Sequence, residues 1–416
     1  MAKKNETYVF IHLNGQWVPC GYLTIQEENR NILSTFQYGK KYLQREDAIS
    51  IDPVQLPLGD ALFRSTPTSP LFGGIRDATP DAWGRHLLDR AADPQSPGEF
   101  EYLTSLPVED RIGALGFGST LEGGPGPIDP GWANYPPTGA ELDLENMITA
   151  VDQIDSAEEI SPEYRRFLLR GSSLGGARPK APTRYEDRMW IAKFGRQYEA
   201  WNTCRIENAN LHLAKICGII VPESKTLLAA DRDVLLISRF DRDSIENRIP
   251  FISAATLLGT DQITEGTYQD IAVQMRKYCA ASYIHEDLKQ LYMRLIFNIL
   301  CNNTDDHLRN HGFIHIPGQG WRLSPAYDIV PQPDMGSEEP RLLTLGVGMN
   351  GNREAILNNA LSSCGVFGLT TEGGEEIIAH MKRTFLSEWK PVYLKYQVPP
   401  KNIPGLAEAF INHLRE

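Results

Sequence analysis

The chain has 416 residues, 41% hydrophobic and 23% charged, a folded globular composition that excludes wholesale disorder and fibrous classes. Lys and Arg number 41 against 53 Asp and Glu, a net charge of −12. A chain this acidic is a poor candidate for binding DNA unaided through phosphate neutralisation. At roughly 150 residues per domain, two or three domains or one large bilobal unit are expected. None of the six cysteines lies in a C-x-x-C pair, which argues against a zinc ribbon or a thioredoxin motif and for a reduced, cytoplasmic protein. The stretch Met1–Glu6 has no apolar signal core. No window reaches the about eighteen apolar residues of a membrane span, so no membrane association is expected.

In chain order, Thr7–Leu13 and Trp17–Ile25 alternate as strands around Asn14-Gly15, the strongest short hairpin signal. A helix follows at 81–90, with Asp81 as its N-cap. The Pro- and Gly-rich stretch 123–139 reads as a linker closing an N-terminal module. Helices are expected at 143–154 and 163–169, and strands at 189–194 and 233–240. Between those strands lies a helix at 206–217, with Ile206, Ala209, Leu213 and Ile216 on one face and Gly218 as its stop. The second half is mostly helical. Its clearest helix is 285–300, with apolar residues at i, i+3, i+4 spacing. A polar loop follows, and then a hairpin at 313–316 and 321–323 about Gly318-Gln319-Gly320.

That polar loop, Asp305-Asp306-His307-Leu308-Arg309-Asn310, places an Asp five residues before an Asn, the spacing of a protein-kinase catalytic loop. There, a carboxylate accepts the proton of the attacking hydroxyl while an amide oxygen nearby holds Mg²⁺. Asp328 follows the hairpin, where a second hard oxygen ligand is needed. Asp305 alone also reads as a loop cap; the order of helix, loop, hairpin and Tyr327-Asp328 favours phosphotransfer. His307 suits a loop-orienting role. Lys193 sits mid-strand among Trp190, Ile191 and Phe194. It is either a solvent-facing strand residue or a phosphate-pairing lysine whose partner is Glu207. Gly171–Lys180 is glycine-rich without being a P-loop, and reads equally as a phosphate cradle built on Gly175 and Gly176 or as a flexible loop. Phe240 lines an adenine pocket or joins the core. Asp241-Arg242 reads as a local ion pair of little worth.

Ser173-Leu174-Gly175-Gly176-Ala177-Arg178-Pro179-Lys180, the Ile191–Phe194 strand, Glu207 with Leu213-Ala214-Lys215, and Arg239-Phe240-Asp241-Arg242 occur in that order. Asn303–Asn310 and Leu323–Ile329 follow, and Arg111–Phe117 lies upstream. Together they resemble the HipA family of bacterial toxin kinases over roughly Tyr8 to Tyr393. The resemblance implies an α+β, bilobal, protein-kinase-like fold with an extra N-terminal β-rich subdomain and a mostly helical C-terminal lobe. Its divisions would be 1–125 (β-rich subdomain), 140–240 (N-lobe core with the Gly-rich loop) and 243–416 (C-lobe with the catalytic loop). It implies a Ser/Thr protein kinase using ATP and Mg²⁺, with Asp305 as base, Asn310 and Asp328 as metal ligands, Lys193 on phosphate and Phe240 by adenine. Ser173, with Ser172 as second choice, would be the self-phosphorylated serine that ejects the Gly-rich loop and switches the enzyme off. The implied partners are a helix-turn-helix antitoxin of the HipB type, DNA only through that antitoxin, and a protein substrate such as a translation factor or tRNA synthetase. Two positions depart from the pattern: Ser238 stands where some members carry Glu, and Asp306 directly follows Asp305. The rival readings are a small-molecule kinase of the aminoglycoside-phosphotransferase type and a nucleotide-binding regulator without turnover.

Overall fold

Asn14 and Gly15 turn the chain with φ of 50° and 78°, the hairpin geometry that matches the twist of its flanking strands. In the computed structural model this turn joins β1 (Lys3–Leu13) to β2 (Gln16–Glu28), with Leu13 opposite Gln16. The structure describes residues 3–28, 31–92, 96–131, 144–155, 178–196, 199–244, 247–332 and 340–411. The expected helix at 163–169, residues 132–139 of the Pro/Gly stretch and the Gly-rich loop with Ser172, Ser173, Gly175 and Gly176 lie outside them.

The fold is α+β, and the chain forms two compact units. The first comprises residues 1–197, 227–252 and 259–261; the second comprises 198–226, 253–258 and 262–416. In the first, β3 (Asn31–Tyr38), β4 (Phe63–Arg64) and β5 (Leu115–Gly118) complete an antiparallel sheet in the order β4-β3-β2-β1-β5. Period-two alternation carries Val9, Ile11, Leu23, Ile25 and Phe36 into a core closed by Ile51, Leu56 and Ile75. The helix Ala82–Ala92 starts where Asp81 Oδ1 accepts from Gly84 N at 3.3 Å. A second sheet has the order β6-β7-β9-β8, from β6 (Lys180–Tyr185), β7 (Arg188–Phe194), β8 (Ser224–Ala229) and β9 (Arg232–Ser238). The helix Leu144–Asp155 lays Met147 and Ile148 over Trp190, Phe194 and Leu236 of that sheet.

The Asp241-Arg242 expectation needs correction: this is no weak surface pair. Asp241 is 5% exposed and accepts from Arg239 Nε (2.9 Å) and Nη2 (2.7 Å), Arg242 Nη1 (2.9 Å) and Gly113 N (2.7 Å). The two guanidiniums also grip the 109–113 loop, both donating to the Arg111 carbonyl at 2.6 and 2.7 Å. Burial would raise the Asp241 pKa, but Arg239 and Arg242 outweigh it and hold the carboxyl well below the usual range. Gly113 belongs there because its φ is +69° and Phe251 Cβ lies 3.2 Å from where a side chain would begin.

The second unit is built on helices. β10 (Phe251–Ser253) carries the chain into it at residue 253. The helix Thr203–Ile216 buries Ile206, Ala209 and Leu213, and Gly218 (φ 89°) ends it. Ile216, expected on the same face, is instead 46% exposed. The drift of the helical repeat turns it outward, and Cys217 just past the helix is buried in its place. The helix Ile284–Leu300 is the centre of this unit. Its Phe297 meets Phe385 edge-on at 5.6 Å, and its Tyr292 meets Phe367 at 5.2 Å. Past the loop, β11 (Gly312–Ile316) and β12 (Gly320–Leu323) form the expected hairpin. Among the described residues no helix is long and apolar enough to cross a membrane.

Breaking one partner of a buried charge cluster strands the other, so Asp241→Asn should cost about 3–5 kcal/mol in urea unfolding. Because the Asp241 pKa is depressed on folding, its contribution is complete above the unfolded value of about 4 and is lost as the pH falls below it. The mutant's stability deficit should therefore narrow on acidification; a deficit independent of pH would contradict the assignment.

Candidate active site

The helix Ile284–Leu300 gives way to the loop at Asn302, whose φ is +55°. Asn302 Nδ2 donates to Gln332 O at 2.8 Å, and Gln332 N returns a bond to Asn302 O at 2.9 Å. Asn303 is tied back to the helix through Asn298, backbone to backbone at 2.9 Å and amide to amide at 3.1 Å. Leu308, fully buried, fastens the far side by donating its N–H to Ile263 O at 2.9 Å.

The two adjacent aspartates on this loop have opposite surroundings. Asp305 is exposed, whereas Asp306 is 3% exposed. Asp306 Oδ2 accepts from the Tyr268 hydroxyl and from His311 Nε2 at 2.8 Å; a carboxylate can only accept, so Nε2 carries the hydrogen. The Tyr268 hydroxyl in turn accepts from Asn298 Nδ2 at 2.9 Å. Burial would raise the Asp306 pKa, but His311 and Tyr268 beside it bring it below the ordinary value. Burial, and then the Asp306 charge, push Tyr268 well up, so it remains a neutral donor.

Asn310 is 7% exposed. Its N–H donates to His307 O at 2.8 Å and its Nδ2 to Asp305 O at 3.3 Å. With the amide nitrogen engaged in the loop, Oδ1 is the atom left to serve as a ligand. The segment of Asp328 is tied to this loop by its neighbour, whose hydroxyl, that of Tyr327, donates to Arg309 O at 2.6 Å. Ser324 N bonds to Gly312 O at 2.9 Å, and the buried Arg294 donates to Ser324 O. Burial lowers the Arg294 pKa to about 10. On the other side Asn210 Nδ2 donates to Ile329 O at 2.9 Å. Asp328 is half-buried with φ +59°, a left-handed conformation that non-glycine residues adopt at a cost.

Hydrogen bonds thus link the segment that carries Asp328 to the loop that carries Asp305 and Asn310, all within the second unit. Glu207 lies in the same unit, 2% exposed on the helix Thr203–Ile216. Lys193 and Phe240 lie in the first unit. Lys193, on β7, is 8% exposed and sits in register with the equally buried Lys180 on β6. Phe240, just past β9, is half-buried with its ring 6.2 Å from Phe251. Sequence reasoning gave no role to Tyr268 or Lys180 and did not single out His311. Tyr268 stands 38 residues from Asp306, and no local spacing connects them.

Residues 172–389 match the family model described as the HipA-like C-terminal domain, which is more than half the chain. The chain belongs to this family. Its fold is that of HipA: the Shewanella oneidensis HipA solved with HipB and operator DNA superposes with a TM-score of 0.67 at 15% identity, over 98% of this chain and 96% of that one. A Helicobacter pylori proinflammatory kinase, CtkA, aligns over 54% of this chain and 93% of its own at 13% identity, with a TM-score of 0.37, too low to argue from. A candidate kinase of Haemophilus influenzae is 25% identical over 146 residues, 31% of this chain. The match spans 42% of that relative's length.

Removing the hydroxyl in Tyr327→Phe should cost about 1 kcal/mol, the worth of one net hydrogen bond. It should also loosen the Arg309–Asn310 backbone. Hydrogen exchange at Asn310 reads this directly, and unchanged protection would show that the Tyr327 bond does not hold the loop.

Proposed function

We propose that this HipA-family chain is an ATP- and Mg²⁺-dependent Ser/Thr protein kinase of the toxin type. The single observation that carries the reading is the division of labour in the 305–310 loop. Asp306 is buried with its Oδ2 committed to Tyr268 and His311, so Asp305 is the exposed carboxylate, five residues from an amide oriented by Asp305's own backbone. Asp305 would accept the proton of the attacking hydroxyl, and its exposure leaves it accessible to a protein substrate.

Asn310 Oδ1 and the Asp328 carboxylate would hold Mg²⁺, which supplies charge neutralisation at the phosphates. Their chemistry fits: both are hard oxygen donors. Among the described residues no group of three or more His, Cys, Asp or Glu is placed to hold an ion by itself, and an ion shared between two protein oxygens and phosphate does not require one. Lys193 would pair with phosphate and Glu207 would orient it. Phe240 would line the adenine, and the backbone at Gly175 and Gly176 would approach the phosphates. The functional division we propose is a β-rich subdomain (1–125), an N-lobe core (140–240) and a catalytic lobe (243–416). Ser173, or secondarily Ser172, would be the site of silencing self-phosphorylation. A helix-turn-helix antitoxin would be the partner, bringing this acidic chain to DNA indirectly, as the HipB and operator complex of the Shewanella protein suggests.

Intact mass after incubation with Mg²⁺-ATP, beside an Asp305→Asn control, tests this. One added phosphate at Ser173 in the wild type only is expected, with the variant slowed by several orders of magnitude. Normal turnover by Asp305→Asn would remove Asp305 as the base. Unphosphorylated protein that neither gains mass nor hydrolyses ATP would contradict the kinase assignment.

A further inference from the structure

We propose that Asp306 is a positioning residue, tying the loop to Tyr268 and His311 so that Asp305 and Asn310 are held in working geometry. The inference rests on the kinase reading above. Its physical content is a clasp with three sources. Tyr268 comes from the helix Tyr268–Tyr278, Asn298 from the helix Ile284–Leu300, and His311 from the residue preceding β11. All three converge on one carboxylate, directly or through the Tyr268 hydroxyl. Each of these four side chains is at most 3% exposed.

The residues on either side of Asp305 are both fixed. The carbonyl of Thr304 accepts from Thr344, from N at 3.2 Å and from Oγ1 at 2.7 Å. Asp306 is pulled inward by its carboxylate. With both neighbours pinned, the Asp305 backbone cannot swing, and its side chain is the one that faces outward. The clasp also reaches Asn310, whose two bonds run to His307 O and Asp305 O. These lie on either side of Asp306. His311, the next residue after Asn310, is held at both ends, its ring by Asp306 and its carbonyl by Ala254 N at 2.7 Å. A base and a metal ligand five residues apart are therefore set by a group that touches neither proton nor phosphate. A buried carboxylate fits that task because hydrogen bonds to a charged acceptor in a low-dielectric interior are short and strong. Displacing reacting groups by about 1 Å can cost on the order of 10²-fold in rate.

The test compares the full-length wild type with Asp306→Asn, the milder Tyr268→Phe, and Asp305→Asn as reference. It uses Mg²⁺-ATP turnover and backbone hydrogen exchange over residues 302–311. We expect Asp306→Asn to lower kcat by about 10–100-fold, with KM for ATP within about threefold. Tyr268→Phe should do the same to a smaller degree, and Asp305→Asn should be the slowest. Exchange in the loop should rise about tenfold in both clasp variants and stay at the wild-type level in Asp305→Asn. Wild-type kcat in Asp306→Asn overturns the proposal. So does a loss as deep as that of Asp305→Asn with the loop still protected, since Asp306 would then act chemically. If no variant turns over ATP, wild type included, the kinase reading fails, and loop exchange still decides the clasp: unchanged protection in Tyr268→Phe refutes it.

Discussion

Everything at the candidate site depends on two neighbouring carboxylates being kept in different dielectric environments. Asp305 and Asp306 are chemically identical, and a loop with both exposed would leave the proposed base undefined. Their separation is imposed from outside the loop. Tyr268 and His311 offer donors only on the inner side, and a buried charge without such donors would be prohibitively costly. Once Asp306 is committed inward, the exposed carboxylate is Asp305. The hydrophobic packing of the helix Ile284–Leu300, with Phe297 on Phe385 and Tyr292 on Phe367, supplies the rigid end from which the loop departs.

The first unit solves a similar problem with the opposite sign. Arg239 and Arg242 are buried around a single carboxylate, Asp241. Their remaining donors go to the carbonyls of Asp110, Arg111 and Gly113. A loop distant in sequence is thus fastened to the end of β9, next to Phe240, and the guanidiniums are desolvated without being left unpaired. Breaking such a network costs more than its net worth, because the surviving partner stays buried. The segment around Phe240 is therefore determined by the 109–113 loop as much as by the strand that precedes it.

What could be read from the sequence was what is encoded locally. Asn14-Gly15 forces its hairpin, the apolar rows of 285–300 define that helix, and the Asp305-to-Asn310 spacing marks the loop. Each depends on residues within a few positions of one another. What escaped depends on contacts across the chain. The Asp241 cluster joins residues 128 positions apart, so its aspartate and arginine looked like an ordinary surface pair. Tyr268 carries no motif, and its role is visible only once two helices and a strand are packed together. Ile216 failed for a subtler reason: an idealised face extended one turn too far places it inside, while the real helix buries Cys217 just beyond its end. The Lys193 alternatives also turn on packing, since strand alternation alone would place it in solvent and the structure leaves it 8% exposed.

Two left-handed residues frame the site, Asn302 at its entry and Asp328 at its exit. Neither is glycine, and each such position costs of order 1 kcal/mol, less for Asn and Asp than for other side chains. Glycine would relieve that local strain. Yet Asn302 uses its side chain to bind Gln332, and Asp328 supplies the carboxylate the proposed chemistry requires. The strain at Asn302 is offset by its paired bonds with Gln332, and that at Asp328 by the bonds Tyr327 and Asn210 make on either side of it. Both conformations therefore persist because their neighbours over-determine them. At Asn302 the side chain itself secures the strained backbone, whereas at Asp328 the neighbours do so and leave the carboxylate for the proposed chemistry.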